Sequence, residues 1–296
     1  MKIVPPFVSS WMERLKYGPA PNSGTPKSWN KYFPPHHVIG DVYYVGSSFI
    51  ASFLITTKEG HFLMNSGTQE TVPLIQSGIE SLGFRLADVR LLLSGHAHID
   101  HVGGHALIRK MTGARVLAMA GDDELIRSGG AVDFHYADRW RWAECAVDHI
   151  LQDGESVALG GVSLTAHLTP GHTEGCTAWT LLTEDQGKPY RVVFVASARA
   201  NPGYQLVNNE KYPGIAADFE RTFRVLHSLP CDVFLGAHGW YYGLEQKFAR
   251  LSAANGNPFV DPQGYRDFLA RSEAAFVEEL AKQRKHHHAP RGRRNN

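Results

Sequence analysis

The sequence predicts an α/β fold with its functional residues at strand ends, and three observations predict it. Runs rich in β-branched and aromatic residues alternate with amphipathic stretches of helical period. One run, Val89-Arg90-Leu91-Leu92-Leu93, is apolar enough for a strand buried within a sheet. The histidines at 96–101, 172 and 238 each follow an expected strand, where loops converge while the sheet holds them.

Residues 1–38 are proline-rich and weakly periodic. They predict an irregular arm, confined mainly to 1–27, with Trp11 and Trp29 as apolar anchors. Stretches 42–45, 50–55 and 61–64, separated by Gly46-Ser47-Ser48 and Lys58-Glu59-Gly60, predict a β-meander. Thr71 can cap the next helix and Pro73 fits its first turn. Leu74, Ile75, Ile79 and Leu82 share one face, and Gly83 ends it. After the strand 89–93, a helix is expected over 102–111, opened by Gly103-Gly104, then a strand at 116–118 and a short helix at 122–127. Strands are expected within 156–168 and at 178–182 and 191–195. A helix over 216–229 precedes a strand at 233–235, and a last amphipathic helix covers 262–282. No linker interrupts 28–284, so one domain is expected there. The basic stretch 285–296 is expected to be a disordered tail.

The apolar share of 43% suits a globular protein with a full core. A net charge of +1 gives no electrostatic footprint for nucleic acid. No apolar run reaches the roughly 18 residues needed to span a bilayer. Neither nucleic acid nor membrane is therefore an expected partner. The three cysteines, Cys145, Cys176 and Cys231, form no disulfide framework. Cys176 lies close after His172 but reads as a small buried residue packing below the site. The N-terminus lacks the apolar core of a signal peptide, which predicts a mature form with an added Met or a protein that stays inside the cell.

The run Ser94-Gly95-His96-Ala97-His98-Ile99-Asp100-His101 brings three imidazoles and one carboxylate together. Pro170-Gly171-His172-Thr173 and Gly236-Ala237-His238-Gly239-Trp240 add two more imidazoles. Zinc takes imidazole nitrogen and carboxylate oxygen, and a catalytic zinc keeps a position open for water. His96 and His98, two apart on a chain leaving a strand, can project to one side. His172 is their natural third partner. Asp100 and His101 then turn towards a second metal, completed by His238. Two zinc ions roughly 3.5–4 Å apart can share a hydroxide and polarise a carbonyl. His36, His37, His61 and His105 are read as structural.

These motifs, with Val102-Gly103-Gly104 after the first run, resemble the metallo-β-lactamase superfamily over about residues 28–282. The resemblance implies an αββα sandwich with a dinuclear site at one edge of its two sheets. Flavodiiron members carry glutamate at the position of His98, which disfavours them. Glyoxalases and lactonases carry a metal-bridging aspartate after the His172 loop, and two β-lactamase subclasses carry a cysteine there. This chain reads Val195-Ala196-Ser197-Ala198-Arg199, so Ser197 takes that place. The ligand set then resembles that of the third metallo-β-lactamase subclass. So do Trp29-Asn30, Asn201-Pro202-Gly203-Tyr204-Gln205-Leu206, Tyr212-Pro213-Gly214-Ile215, and Asn257-Pro258-Phe259-Val260-Asp261.

The resemblance implies two Zn2+ and hydrolysis of the β-lactam amide bond by a metal-bound hydroxide. Asp100 would orient the hydroxide and relay a proton, Tyr204 would assist the oxyanion, and Ser197 would hold the substrate carboxylate. It also implies a small β-lactam substrate, a monomer and a periplasmic location, although without a signal peptide a cytoplasmic location stays open. Two alternatives remain: a metal-dependent hydrolase of another lactone, ester or thioester with weak β-lactamase activity, or a zinc-binding protein of low activity.

Three residues depart from the family pattern. Asn65 replaces an aspartate that orients a zinc-binding histidine, and brings an acceptor oxygen without charge. Arg199 stands where many members have serine, and a guanidinium can grip a substrate carboxylate with two hydrogen bonds. Glu174, where proline is frequent, adds negative charge near the first zinc.

Overall fold

The computed structural model describes residues 25–252 and 256–288. The expected arm over 1–24, with Trp11, and the tail beyond 288 lie outside the described residues. One sheet contains β1 (His36–Ile39), β2 (Val42–Tyr44), β3 (Phe53–Thr57), β4 (Gly60–Met64), β5 (Val89–Leu93), β6 (Arg115–Met119) and β7 (His149–Leu151), in that spatial order. Strands β1 to β4 pair antiparallel and β4 to β7 parallel. The other sheet contains β8 (Ser156–Leu159), β9 (Val162–Leu168), β10 (Thr177–Asp185) and β11 (Lys188–Val195), all antiparallel, with β12 (Val233–Gly236) parallel beside β11. The helices are α1 (Val72–Ser81), α2 (Ile99–Val102), α3 (His105–Thr112), α4 (Asp123–Arg127), α5 (Ile215–Ser228), α6 (Leu244–Arg250) and α7 (Pro262–His288).

Side-chain alternation decides the layers. Phe53, Ile55, Phe62, Met64, Leu91 and Leu93 enter the core that holds Trp179, Leu181 and Phe194 of the second sheet. Leu54, Leu63 and Leu92, between them in sequence, pack instead with Ile75 and Ile79 of α1 and Ile108 of α3. Strand β5 is thus apolar on both faces, which is why its sequence shows no alternation. Phe53 and Phe194 meet between the sheets at 5.3 Å. Beyond the second sheet, Phe234 meets Phe268 of α7 at 5.0 Å, and Phe219 of α5 meets Phe276 at 5.2 Å. The layers run helix, sheet, sheet, helix, the αββα order that the resemblance implies. No described helix is long and apolar enough to cross a membrane.

Some elements differ from expectation. Strand β1 forms inside the stretch expected to be irregular. The helix expected over 102–111 is two pieces, α2 and α3, broken at Gly103 and Gly104. Close backbone contact explains the glycines: a Cβ would stand 2.4 Å from the Ile99 carbonyl at Gly103 and 2.6 Å from the Ser66 carbonyl at Gly104. Helix α7 runs on to His288, through the start of the stretch expected to be disordered.

His36 on β1 is boxed by aromatic rings, stacked on Tyr44 at 5.3 Å and Phe259 at 5.6 Å, and tilted against Phe248 at 4.7 Å. Burial lowers its pKa to about 4, although the Pro34 carbonyl accepts from its Nδ1. The folded state therefore prefers neutral His36. Its stabilising contribution is complete above the unfolded pKa of about 6.5 and is lost as pH falls towards 4. His36→Phe is expected to remove about 3 kcal/mol of acid sensitivity between pH 7 and 4. Urea unfolding of the metal-free protein and its variant measures this difference, and an unchanged pH slope contradicts it.

Candidate metal centre

All six expected ligands lie at the C-terminal ends of strands, on one edge shared by both sheets. His96 and His98 follow β5, Asp100 and His101 sit on the single turn α2, His172 follows β9, and His238 follows β12. Hydrogen bonds clamp the sheets together at that edge. Thr177 N–H donates to the Gly95 carbonyl at 2.6 Å, Trp179 Nε1–H to the Ser94 carbonyl at 3.0 Å, and Ala51 N–H to the Ala237 carbonyl at 2.9 Å. Gly95 is required by this approach, since a Cβ there would stand 2.7 Å from the Ala196 Cβ. Gly171 turns the chain into His172 at φ +119°, a conformation that favours glycine.

The side chains converge as two overlapping groups. Donor atoms of His96, His98 and His172 lie within 4.8 Å of one another, as do those of His96, Asp100 and His101. His238 joins the second group through Asp100, whose Oδ2 is 3.1 Å from His101 Nε2 and 3.6 Å from His238 Nε2. Ring centroids are 4.4 Å apart for His96 and His172, and 5.0 Å for His101 and His238. The outer nitrogens are tied to the backbone. His172 Nδ1 meets the Arg199 carbonyl at 2.7 Å, and His238 Nδ1 meets the Phe49 carbonyl at 3.3 Å. Those bonds leave both Nε2 atoms facing inward as donors to a metal.

The electrostatics suit a divalent cation. Burial, reinforced by neighbouring histidines, holds His96 and His172 well below the ordinary imidazole value and lowers His238 to about 4. Neutral imidazoles are the ligand form. Burial pushes the Asp100 carboxyl up, but the surrounding histidines outweigh it and keep the group ionised. His96 Nδ1 and both His101 nitrogens are buried without a hydrogen-bond partner among the described residues. Buried polar atoms are rarely left so, and a metal satisfies such atoms. The donor set therefore fits a bound metal.

Two carboxylates behind the ligands escaped the sequence reading. Asp122 is buried and accepts from Ala97 N–H at 2.7 Å, Thr173 Oγ1–H at 2.9 Å and Gly175 N–H at 2.9 Å. It thereby clamps the His96–His98 loop to the His172 loop. Asp133 Oδ2 lies 3.3 Å from His98 Nε2. Burial lowers a histidine, but Asp133 outweighs that and raises His98. In the sequence Asp122 stood only as the first residue of a short expected helix, and Asp133 as an aspartate in a stretch with no assigned element.

The other expected site residues are placed as follows. Asn65 does not reach a histidine ring. Its Oδ1 accepts from Gly95 N–H at 3.0 Å and its Nδ2 donates to the Ala51 carbonyl at 3.3 Å. It fixes the backbone beside His96, and its φ of +61° is a conformation that Asn and Asp tolerate. Tyr204 is turned inward: its hydroxyl donates to the His172 carbonyl at 2.9 Å. Its proton is thereby engaged with the His172 loop. Ser197 is buried, with Oγ 3.4 Å from the Tyr241 hydroxyl and accepting from Arg199 N–H at 3.4 Å. The exposed Arg199 guanidinium lies 4.8 Å over the Trp240 ring, which stacks beside His238. Glu174 is exposed, and partial burial together with the Asp218 charge raises its pKa. Cys176 is buried with Sγ against the Ser197 carbonyl, and burial raises it to about 12. Phe49, which receives His238, stacks on Trp29 at 5.9 Å.

Comparison with known proteins decides the family. The native FEZ-1 metallo-beta-lactamase from Legionella gormanii is 45% identical, with a TM-score of 0.86 over 88% of this chain and 99% of that one. The chain belongs to the metallo-beta-lactamase superfamily. The superfamily profile matches residues 45–185. BJP-1, a subclass B3 metallo-beta-lactamase of Bradyrhizobium japonicum, is 35% identical with a TM-score of 0.82 over 88% of this chain and 98% of that one. A hydroxyacylglutathione hydrolase from Fuscovulum blasticum is 28% identical over 199 residues, 66% of this chain and 64% of that protein. The curated relatives are thus matched over less than two thirds of their length.

Proposed function

We propose that the protein is a β-lactamase that uses two zinc ions. The donor set carries this reading: five imidazoles and one carboxylate converge in two groups, with Ser197 beside them and Asp122 and Asp133 behind them. The full-length similarity to FEZ-1 supports it. His96, His98 and His172 would hold one ion, and Asp100, His101 and His238 the other. Zinc bound there supplies a Lewis acid for the carbonyl and water acidified to a pKa of about 7. Burial keeps His96, His172 and His238 neutral enough to bind, with one ionised carboxylate beside them. Asp100 is the proton acceptor of the cluster. On this reading the enzyme acts as a monomer in the periplasm.

Arg199 is the cation at the rim of this centre. It grips the carboxylate that β-lactams carry, with Trp240 holding the guanidinium in place. Arg199→Ala is expected to raise KM about tenfold with little change in kcat, because it removes binding common to ground and transition states. Steady-state kinetics on several β-lactams measures this, and an unchanged KM contradicts it.

A second reading, hydrolysis of thioesters, is favoured by the hydroxyacylglutathione hydrolases among the relatives. One assay separates the two: kcat/KM for a penicillin, a cephalosporin, a carbapenem and a hydroxyacylglutathione thioester, with and without chelator. The proposal expects chelator-sensitive turnover of the β-lactams. Turnover of the thioester alone replaces it with the second reading.

A further inference from the structure

Asp133 lies outside the ligand set, on the loop between α4 and β7, and its two oxygens serve different partners. Oδ1 accepts from His135 N–H at 2.7 Å and Tyr136 N–H at 2.5 Å, which fixes the turn of the loop. Oδ2 lies 3.3 Å from His98 Nε2, and neither atom has another hydrogen-bond partner among the described residues. Both side chains are buried, at 3% and 4% exposure, so water does not screen the pair. A carboxylate at Nε2 selects the tautomer with its proton there, which leaves the lone pair on Nδ1.

The same loop covers the site with aromatic rings. Tyr136 packs edge-on against His98 at 5.3 Å and tilts against Trp140 at 4.7 Å. Trp140 meets Trp29 at 5.6 Å, and His135 meets Tyr204 at 4.9 Å. One carboxylate thus joins a ligand histidine to the turn that carries this aromatic cover.

We propose that Asp133 is a positioning residue that sets His98 for metal binding and couples metal occupancy to the order of the loop 133–140. Binding energy shared between two sites is reciprocal: an ordered loop tightens the metal, and the metal orders the loop. The inference rests on the metal reading of the site and is independent of which substrate is hydrolysed.

Asp133→Asn separates the two roles, because an amide oxygen still accepts from His135 and Tyr136 while the charge at His98 is lost. Zinc affinity by chelator competition is expected to fall about 10–100-fold, with an altered d–d spectrum of the cobalt-substituted protein. Zinc added to the wild type is expected to slow hydrogen exchange of amides 133–140, and the variant to lose that effect. Asp133→Glu, which keeps the charge, is expected to recover part of the affinity. Melting of the metal-free variant at the wild-type temperature excludes simple misfolding. A variant melting lower is judged by Asp133→Glu alone, whose failure to recover affinity then counts against the proposal. Unchanged zinc affinity in Asp133→Asn overturns it, as does loop exchange that ignores zinc in the wild type. A wild type that takes up zinc while Asp133→Asn behaves normally leaves the metal reading standing and removes only this one. A wild type that binds no zinc removes both.

Discussion

Asp100→Asn is expected to reduce kcat/KM by about 10²–10⁴-fold, the range associated with loss of a positioned proton-transfer group. Zinc content is expected to fall towards one ion per chain. Asp100 is the one carboxylate within the cluster, and its Oδ2 lies 3.1 Å from His101 Nε2 and 3.6 Å from His238 Nε2. The amide keeps the shape and removes the charge, leaving the imidazoles of His101 and His238 for the second ion. Metal analysis and steady-state kinetics on the same preparation check both effects. Full zinc content with full turnover would mean that Asp100 is neither ligand nor proton acceptor.

Asp122→Ala is expected to act through the fold. It leaves the Ala97 N–H, the Gly175 N–H and the Thr173 hydroxyl without their buried acceptor. Each unsatisfied donor costs roughly 1–3 kcal/mol. Burial also raises Asp122 to about 6, so the carboxylate itself is costly to keep ionised, which places the net loss near the lower end. A loss of about 3 kcal/mol corresponds to a melting temperature lower by roughly 6–12 °C. Zinc affinity is expected to fall with it, because the His96–His98 loop and the His172 loop lose their common anchor. Calorimetry of the metal-free protein, followed by zinc titration, checks the two parts. A variant melting within a degree or two of wild type contradicts the clamp.

The ligands were legible because the chemistry is written in consecutive residues. His96, His98, Asp100 and His101 share one strand end, and His172 and His238 each repeat the strand-then-histidine setting. What supports them was not legible. Asp122 reaches partners 25 to 53 residues away, and Asp133 meets His98 only through the fold. Nothing local marks either aspartate as different from a solvated one. Tyr204 shows the converse. Its motif was recognisable, but the direction of its hydroxyl depends on the His172 carbonyl that folding brings to it. Among elements, β5 was clear because burial on both faces leaves a continuous apolar run. Strand β7, exposed at His149 and Ile150, carries no such pattern. The break between α2 and α3 is set by contacts of Gly103 with the Ile99 carbonyl four residues before it and of Gly104 with the distant Ser66 carbonyl, whereas the sequence showed two glycines opening one helix.

Anomalous diffraction at the zinc edge tests the central claim most directly. Crystals of the protein grown with zinc should show two metal peaks roughly 3.5–4 Å apart. His96, His98 and His172 should surround one, and Asp100, His101 and His238 the other, with Ser197 outside both. A single peak, or a peak ligated by Ser197 or Cys176, would contradict the account.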